Sequence, residues 1–218
     1  MIDKRVDTLT DAVAGIESGS TILVSGFGDA GAPIELLEAM IGGPDELTIV
    51  ANNAGFGERG IAALIRSGQV RKVICSFPRS PEQYWFERKY LAGEIELELV
   101  PQGTLTERIR AAGAGIGAFF TPTAAGTVLA QGKEQREIRG RSQVLEYALP
   151  GDVALVKAHR ADRWGNLTFR KSARNYGPTM ATAARQTIVQ VSTIEPLGRL
   201  SPEAIVTPGI FVNRVVKV

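Results

Sequence analysis

The sequence TILVSGFGDAGAP, residues 21–33, joins a short apolar run to a glycine-rich turn. Thr21–Val24 is predicted to be a buried strand, and Gly26, Gly28 and Gly31 follow it in GxGxxG spacing. An apolar pattern of helical period begins directly after Pro33. A strand, a glycine turn and a helix in this order have the layout of a dinucleotide-binding βα unit.

The second predicted strand, Leu47–Val50, lacks the residue that a dinucleotide would need. In a Rossmann unit an Asp or Glu about 20 residues beyond the glycines accepts hydrogen bonds from the ribose hydroxyls. Here the strand runs into Ala51, Asn52 and Asn53. Neutral amides offer N–H donors to a carbonyl or a carboxylate. The glycine loop is therefore interpreted as open to a ligand other than NAD, and the asparagines suggest an acyl group.

Apolar runs alternate with helical patterns and Gly or Pro punctuation along the whole chain, which predicts an α/β fold with a mostly parallel open sheet flanked by helices. Further strands are predicted at Val70–Phe77, Ile95–Val100, Val153–Ala158, Thr187–Val191 and Ile210–Val216, with a hairpin at Leu167–Phe169. Further helices are predicted at Gly60–Ile65, Glu82–Leu91, Thr104–Ala112 and Thr179–Arg185. Residues 113–132 are predicted to be a loop system, and residues 1–218 a single domain.

Two of these predictions are more specific. The alternation of apolar and acidic residues in Ile95–Val100 indicates an edge or antiparallel strand. Thr104, with Glu107 three residues later, is predicted to cap its helix.

Composition excludes several classes of function. With 25 basic and 23 acidic residues the net charge is only +2, so no global charge favours nucleic acid or membrane binding. One cysteine excludes an internal disulfide and a CxxC metal site, and no metal is expected. The N-terminus lacks an apolar signal region, and no apolar run approaches the length of about 18 residues that a membrane span needs. A cytoplasmic protein is expected.

Candidate site residues follow the predicted strands, because ligands of parallel sheets bind beyond the carboxyl ends of the strands. Asn52, Asn53 and Gln102 are neutral donors of the kind that hold a developing oxyanion, although an Asn before Ala-Gly also suits a turn. Arg79 is the cation directly after a strand, and it is either a carboxylate clamp or an exposed turn residue.

The attacking group is missing from this set, since no Ser/His/Asp set is recognisable and no carboxylate directly follows these strands. His159 is interpreted as a surface or supporting residue and Cys75 as a buried, inert thiol. A basic cluster contains Arg170, Lys171 and Arg174 and is either a solvated face or a contact for a phosphate or a partner.

Several long motifs occur in the order found in the A (alpha) subunits of the family I CoA-transferases, and the chain resembles that family over nearly its whole length. The motifs are the segment Ser18–Pro33, LTIVANNAG at Leu47–Gly55, ELELVPQGTLTERIRAAGAGIGAFFTPT at Glu96–Thr123, GNLTFRKSARN at Gly165–Asn175 and VTPGIFVNRVV at Val206–Val216. One departure is visible, because the loop usually begins Gly-Gly-Phe and here reads Ser25, Gly26, Phe27.

The resemblance implies the CoA-transferase type of α/β fold and a nucleophilic glutamate that lies in a Ser-Glu-Asn-Gly motif of a B subunit. That glutamate attacks an acyl-CoA thioester to give an acyl-glutamyl anhydride, and CoA thiolate then returns to form a glutamyl-CoA thioester. Gln102 and Asn52 are expected to position the acyl group and its oxyanion. Gly26, Phe27, Gly28, Gly31, Asn53 and Arg79 are expected to bind substrate or CoA.

The resemblance also implies the partners and the substrates. No cofactor is expected, because coenzyme A enters as a thioester substrate, and an α2β2 complex with the B subunit is expected. The motifs NNAG, CSFPR and KAHRADRWGNLTFRK favour transfer from succinyl-CoA to 3-oxoadipate in aromatic catabolism, with acetoacetate as the alternative acceptor. A sugar-phosphate isomerase-like or ligand-sensing protein that acts alone is the alternative of another class.

Overall fold

A computed structural model describes residues 2–79, 82 and 84–218. Its strands are β1 Arg5–Val6, β2 Thr21–Val24, β3 Leu47–Val50, β4 Val70–Cys75, β5 Glu96–Leu99, β6 Ala118–Thr121, β7 Gln135–Ile138, β8 Arg141–Tyr147, β9 Gly151–Asp162, β10 Leu167–Thr168, β11 Ala184–Glu195 and β12 Arg214–Lys217. Its α-helices are α1 Leu9–Val13, α2 Ile34–Ala39, α3 Ile61–Arg66, α4 Tyr84–Leu91, α5 Gln102–Gly113 and α6 Gly177–Thr182.

The described residues form a nine-stranded sheet in the order β1-β12-β11-β9-β2-β3-β4-β5, with β10 paired to β9. Its neighbours are parallel except for the β9–β10 hairpin, which is antiparallel. The predicted α/β class with a mostly parallel open sheet is therefore confirmed. The order places β9, β2 and β3 side by side at the centre, so the loops that follow them meet at one edge of the sheet.

Two apolar layers cover the faces of this sheet, because alternate strand residues point to opposite sides. Leu155 of β9 packs in a cluster with buried residues of α1 to α4, such as Leu36 and Leu64. The next residue, Val156, packs on the other face with Leu105 of α5 and Met180 of α6. The helices therefore flank the sheet on both sides, as the sequence pattern predicts.

A second, antiparallel sheet has the order β6-β8-β7, and the sequence patterns missed it. Residues 113–132 were predicted to be loops, but Ala118–Thr121 pairs with β8. The strands β7 and β8 were not predicted at all. Their two-residue turn is Arg139-Gly140, in which both residues have positive φ (52° and 71°). Asn-Gly or Asp-Gly is the usual sequence signal for such a turn, and this signal is missing because an arginine occupies the first turn position.

Several predicted boundaries also need correction. For strand β5 the edge alternative is confirmed and the antiparallel alternative is not, because β5 lies at the edge of the sheet and pairs parallel to β4. Helix α5 begins at Gln102 after the extended residue Pro101, so Thr104 lies inside the first turn and is not the cap. The final strand begins at Arg214, because Gly209–Phe211 forms a 3₁₀ turn.

Among residues 2–79, 82 and 84–218, no helix is long and apolar enough to cross a membrane.

Candidate active site

A cleft of about 430 Å³ opens at the carboxyl edge of the large sheet. Its walls are the loop after β2, the start of α2, the loop of residues 51–59 after β3, and Lys157 of β9. This is where parallel sheets bind their ligands, because the loops that follow neighbouring strands surround a crevice there.

The glycine loop, residues 25–31, forms one wall through a tight two-residue turn. Phe27 and Ala30 exchange backbone hydrogen bonds of 3.0 and 3.3 Å, and Gly28 takes the first turn position with φ of 58°. The buried Ser25 hydroxyl donates to the Gly31 carbonyl at 2.8 Å and accepts from the Lys157 backbone N–H at 3.1 Å. Ser25, the departure from the family pattern, therefore ties the loop to β9.

A distant segment, residues 172–176, holds the same loop from outside. The Asn175 Oδ1 atom accepts the backbone N–H of Gly26 at 3.0 Å, and its Nδ2 donates to the carbonyl of Ala30 at 2.7 Å. Gly31 has φ of 78°, and a Cβ there would lie 2.3 Å from the carbonyl oxygen of Ala173. Only glycine fits at Gly31, since both the backbone conformation and the close approach exclude a side chain.

The two asparagines line the cleft and are buried, with exposures of 5% for Asn52 and 6% for Asn53. The Asn52 Nδ2 donates to the hydroxyl of Ser76 at 3.1 Å. The Asn53 Oδ1 accepts the backbone N–H of Gly55 at 2.8 Å, which is an Asx turn. Asn53 therefore shapes the turn through its oxygen, and both amides lie at the cleft wall.

The remaining predicted site residues lie elsewhere. Gly26 and Gly28 line the cleft, but Phe27 and Gly31 are not among its described lining residues. Gln102 is exposed in the first turn of α5 and lies outside the cleft lining. The Arg79 side chain is 83% exposed and forms an ion pair of 3.3 Å with Glu87 of α4. Neither residue is brought together with the asparagines in this cleft.

A buried amide and a carboxylate at the cleft were missed by sequence reasoning. Gln190 of β11 is fully buried, and its Nε2 donates to Glu35 Oε2 while its Oε1 accepts the backbone N–H of Leu36 at 3.1 Å. Burial acts to raise the pKa of Glu35, but hydrogen bonds from Gln190 and from the backbone, together with the positive charges of Lys157 and Arg59, outweigh it and leave that pKa lowered. Glu35 is therefore held as a carboxylate.

A sequence signal for these groups exists. Gln190 interrupts the apolar run of β11 (Ile188, Val189, Val191), and Lys157 interrupts that of β9. A polar residue within a strand buried on both faces indicates a specific partner.

The other candidate residues of the sequence analysis lie in the core or line a smaller cleft. Cys75 is fully buried, and burial raises the pKa of its thiol to about 12, so the interpretation as an inert thiol is confirmed. His159, Arg170 and Lys171 line a smaller neighbouring cleft of about 310 Å³, which Lys157 also lines.

The cleft can bind an acyl compound between its two amides, the fixed glycine loop and the charged side chains of Glu35 and Lys157. The chain as a whole is matched by known proteins. The model of the family "Coenzyme A transferase" matches residues 6–218. The chain belongs to this family, and within it to the A subunits of family I.

Individual relatives cover almost the whole chain. The A subunit of 3-oxoadipate CoA-transferase from Pseudomonas putida is 60% identical over 100% of this chain and 95% of its own length. The A subunit of succinyl-CoA:3-ketoacid coenzyme A transferase from Xanthomonas campestris pv. campestris is 48% identical over 98% of this chain and 88% of its own.

Two solved structures share the fold. An acyl-CoA transferase of Escherichia coli O157:H7 superposes with a TM-score of 0.89 at 23% identity, and the match covers 99% of this chain and 47% of that one. Glutaconate coenzyme A-transferase of Acidaminococcus fermentans gives 0.88 at 21% identity, over 99% and 75% of the two chains. The chain thus spans about half the length of the first of these enzymes.

Proposed function

We propose that this chain is the A subunit of a CoA-transferase that moves CoA from succinyl-CoA to 3-oxoadipate. The observation that carries the proposal is the 60% identity to the A subunit of a 3-oxoadipate CoA-transferase over the full length of this chain. The amide-lined cleft supports it, because such a wall suits an acyl group. The relatives are named as subunits, which supports a B partner, and we propose an α2β2 complex in which that partner supplies the nucleophilic glutamate.

The chemistry divides between the two chains. The partner's glutamate attacks the thioester carbonyl, a C–O bond forms, the C–S bond breaks, and CoA leaves as its thiolate. The thiolate then attacks the glutamyl carbonyl of the anhydride and releases succinate. The acceptor acid repeats these steps in reverse and leaves with CoA, so no external oxidant or proton source is consumed. This chain would supply the donors that stabilise oxygen where negative charge develops.

Two amides of this chain are proposed for that role. Asn52 is preorganised, since it is buried and its Nδ2 is fixed by Ser76. Gln102 is exposed in the first turn of α5, outside the cleft lining, and its role requires that the acyl group is bound between this chain and the partner chain. Glu35 is not proposed as a nucleophile, because Gln190 binds its carboxylate and its lowered pKa makes it a weaker one.

Acetoacetate is the second candidate acceptor. The observation that favours it is the 48% identity to the A subunit of a succinyl-CoA:3-ketoacid coenzyme A transferase. The two candidates share the donor and the proposed glutamate chemistry, so only the ratio of the specificity constants for the two acids separates them.

The test is activity of the chain alone and with a B chain encoded beside it. The isolated chain should be inactive, and the complex should transfer CoA from succinyl-CoA to 3-oxoadipate. In that complex, Gln102→Ala should lower kcat by about 10²- to 10³-fold, as expected when one oxyanion donor is lost. The exposed Gln131→Ala is the matched control. Activity of the isolated chain that Glu35→Gln abolishes would overturn the division of chemistry.

A further inference from the structure

Lys157 is the cationic side chain that the proposed acyl chemistry leaves without a role. It lies in β9 two residues after Leu155, so its side chain is on the same face of the sheet as Leu155 and α2. It is half-buried and lines the main cleft together with Glu35 and Asn52. Its register partner in β11 is Gln190, the amide that holds Glu35.

Three other charged residues of the cleft have side-chain partners at hydrogen-bond distance. Arg59, the second cation of the lining, donates to both carboxylate oxygens of Glu38 at 2.8 and 3.0 Å. Glu58 accepts from Arg66 at 2.6 Å, and Glu35 accepts from Gln190. Lys157, by contrast, makes no ion pair and no side-chain hydrogen bond within residues 2–79, 82 and 84–218. Its charge acts on Glu35 from beyond ion-pair distance, so the partly buried ammonium is left without a direct partner, and contact with a carboxylate or phosphate ligand would offset part of its burial cost.

Strand register gives the span from Lys157 to the amides. Leu155 of β9 is in register with Val24 of β2, and Leu23 of β2 with Val50 of β3. Counted on from these pairs, Asn52 comes one residue before the level of Lys157. Lys157 and Asn53 lie at the same level of two strands that have one strand between them. Two strand spacings separate their backbones by about 10 Å. A short diacid fits this span, with one carboxyl group at the amides and the other toward the ammonium.

We propose that Lys157 binds the distal carboxylate of dicarboxylic substrates, the end that does not exchange CoA. The inference rests on the proposed function, in which succinate and 3-oxoadipate both carry such a group and acetoacetate does not. Lys157 then determines specificity for diacids. Arg79, the cation that the sequence suggested for this task, is instead bound to Glu87 and lies outside the cleft lining.

The test uses the complex with the B chain and the variant Lys157→Met. In ping-pong kinetics the specificity constant of each substrate is measured independently of the other. Loss of one charge-assisted contact should lower kcat/KM for 3-oxoadipate and for succinyl-CoA by about 10- to 100-fold. The value for acetoacetate should change by less than about threefold. Lys217→Met, the same change at an exposed position of β12, is the matched control.

Lys157→Arg keeps the charge and should keep most of the preference for the diacid, which also covers the case that the methionine variant does not assemble. Equal losses for 3-oxoadipate and acetoacetate in Lys157→Met, or an unchanged ratio between them, would overturn the inference. So would loss of the preference in Arg79→Met with its retention in Lys157→Met. A wild-type complex that transfers no CoA to any 3-oxo acid would instead overturn the proposed function, and this is seen before any variant is made.

Discussion

The loop after β2 and residues 76–79 after β4 leave the same edge of the same parallel sheet, yet their outermost side chains are held to very different degrees. The glycine loop at residues 25–31 is held by the Ser25 hydroxyl from within and by Asn175 from a segment far along the chain. After β4, Ser76 and Phe77 both donate their backbone N–H groups to the Asn52 carbonyl, but the Arg79 side chain extends into solvent.

The glycine loop is therefore a rigid wall of the cleft, whereas the segment after β4 carries an exposed side chain at Arg79. A wall made of close backbone contacts tolerates almost no added volume, because interiors are packed as densely as crystals. An exposed loop tolerates most substitutions, since solvent replaces what is lost. Variants of the two loops should therefore differ strongly in free energy of unfolding.

The largest effect is expected for Gly31→Ala. The new Cβ would lie 2.3 Å from the Ala173 carbonyl oxygen at a φ of 78°. Overpacking against backbone and the left-handed conformation together should cost about 3–5 kcal/mol of the free energy of unfolding, measured by urea denaturation. Gly28→Ala is the control, because its Cβ would meet open space. Equal costs for the two variants would show that φ alone, and not the contact with Ala173, fixes the loop.

Asn175→Ala should lower the free energy of unfolding less than Gly31→Ala does. The change removes the acceptor of the Gly26 N–H and the donor to the Ala30 carbonyl. Water can replace part of these two bonds, because the site is partly exposed. We expect a loss of about 1–3 kcal/mol in urea denaturation. The adjacent, exposed Arg174→Ala is the control. Asn175→Ala with wild-type stability would mean that the Ser25 bonds are enough to hold the loop.

Gln190→Leu tests the support of α2, which follows the glycine loop. The amide bonds to Glu35 and to the Leu36 N–H are lost, and we expect a cost of about 1–2 kcal/mol at neutral pH. Because the folded-state pKa of Glu35 is lowered, its stabilisation is present above the ordinary value of 4.5 and is lost as pH falls through the lowered pKa. The gap between wild type and Gln190→Leu should therefore shrink in acid. A gap that is constant with pH would contradict the role of the carboxylate.

The smallest effect is expected in the exposed loop. Arg79→Ala removes an ion pair whose arginine side chain is 83% exposed, and such pairs contribute about 0–1 kcal/mol. A melting temperature within about 3 °C of wild type is expected, because 1 kcal/mol corresponds to about 2–4 °C in a chain of this size. A clear fall in melting temperature would show that the loop after β4 is fixed as firmly as the glycine loop.

Local patterns in the sequence were enough for the central strands. Thr21–Val24 and Leu47–Val50 were predicted with the bounds that the structure has, because short apolar runs between turn residues have little else to form. The glycines and asparagines of the cleft could be named for the same reason, since they directly follow these strands. The antiparallel strands β7 and β8 could not, because exposed charged residues carry little periodicity and their pairing depends on the whole fold.

The sequence by itself determined the class of fold, the family, and the residues that end each central strand. Only the tertiary structure decided which of these side chains share a cleft. It brought Lys157, Gln190 and Asn175 to the glycine loop and to α2, and it left Gln102 and Arg79 outside. The physical reason is that strand and turn formation depends on neighbours in sequence. The surroundings of a charge or an amide instead depend on strand order, which brings together residues more than 100 positions apart.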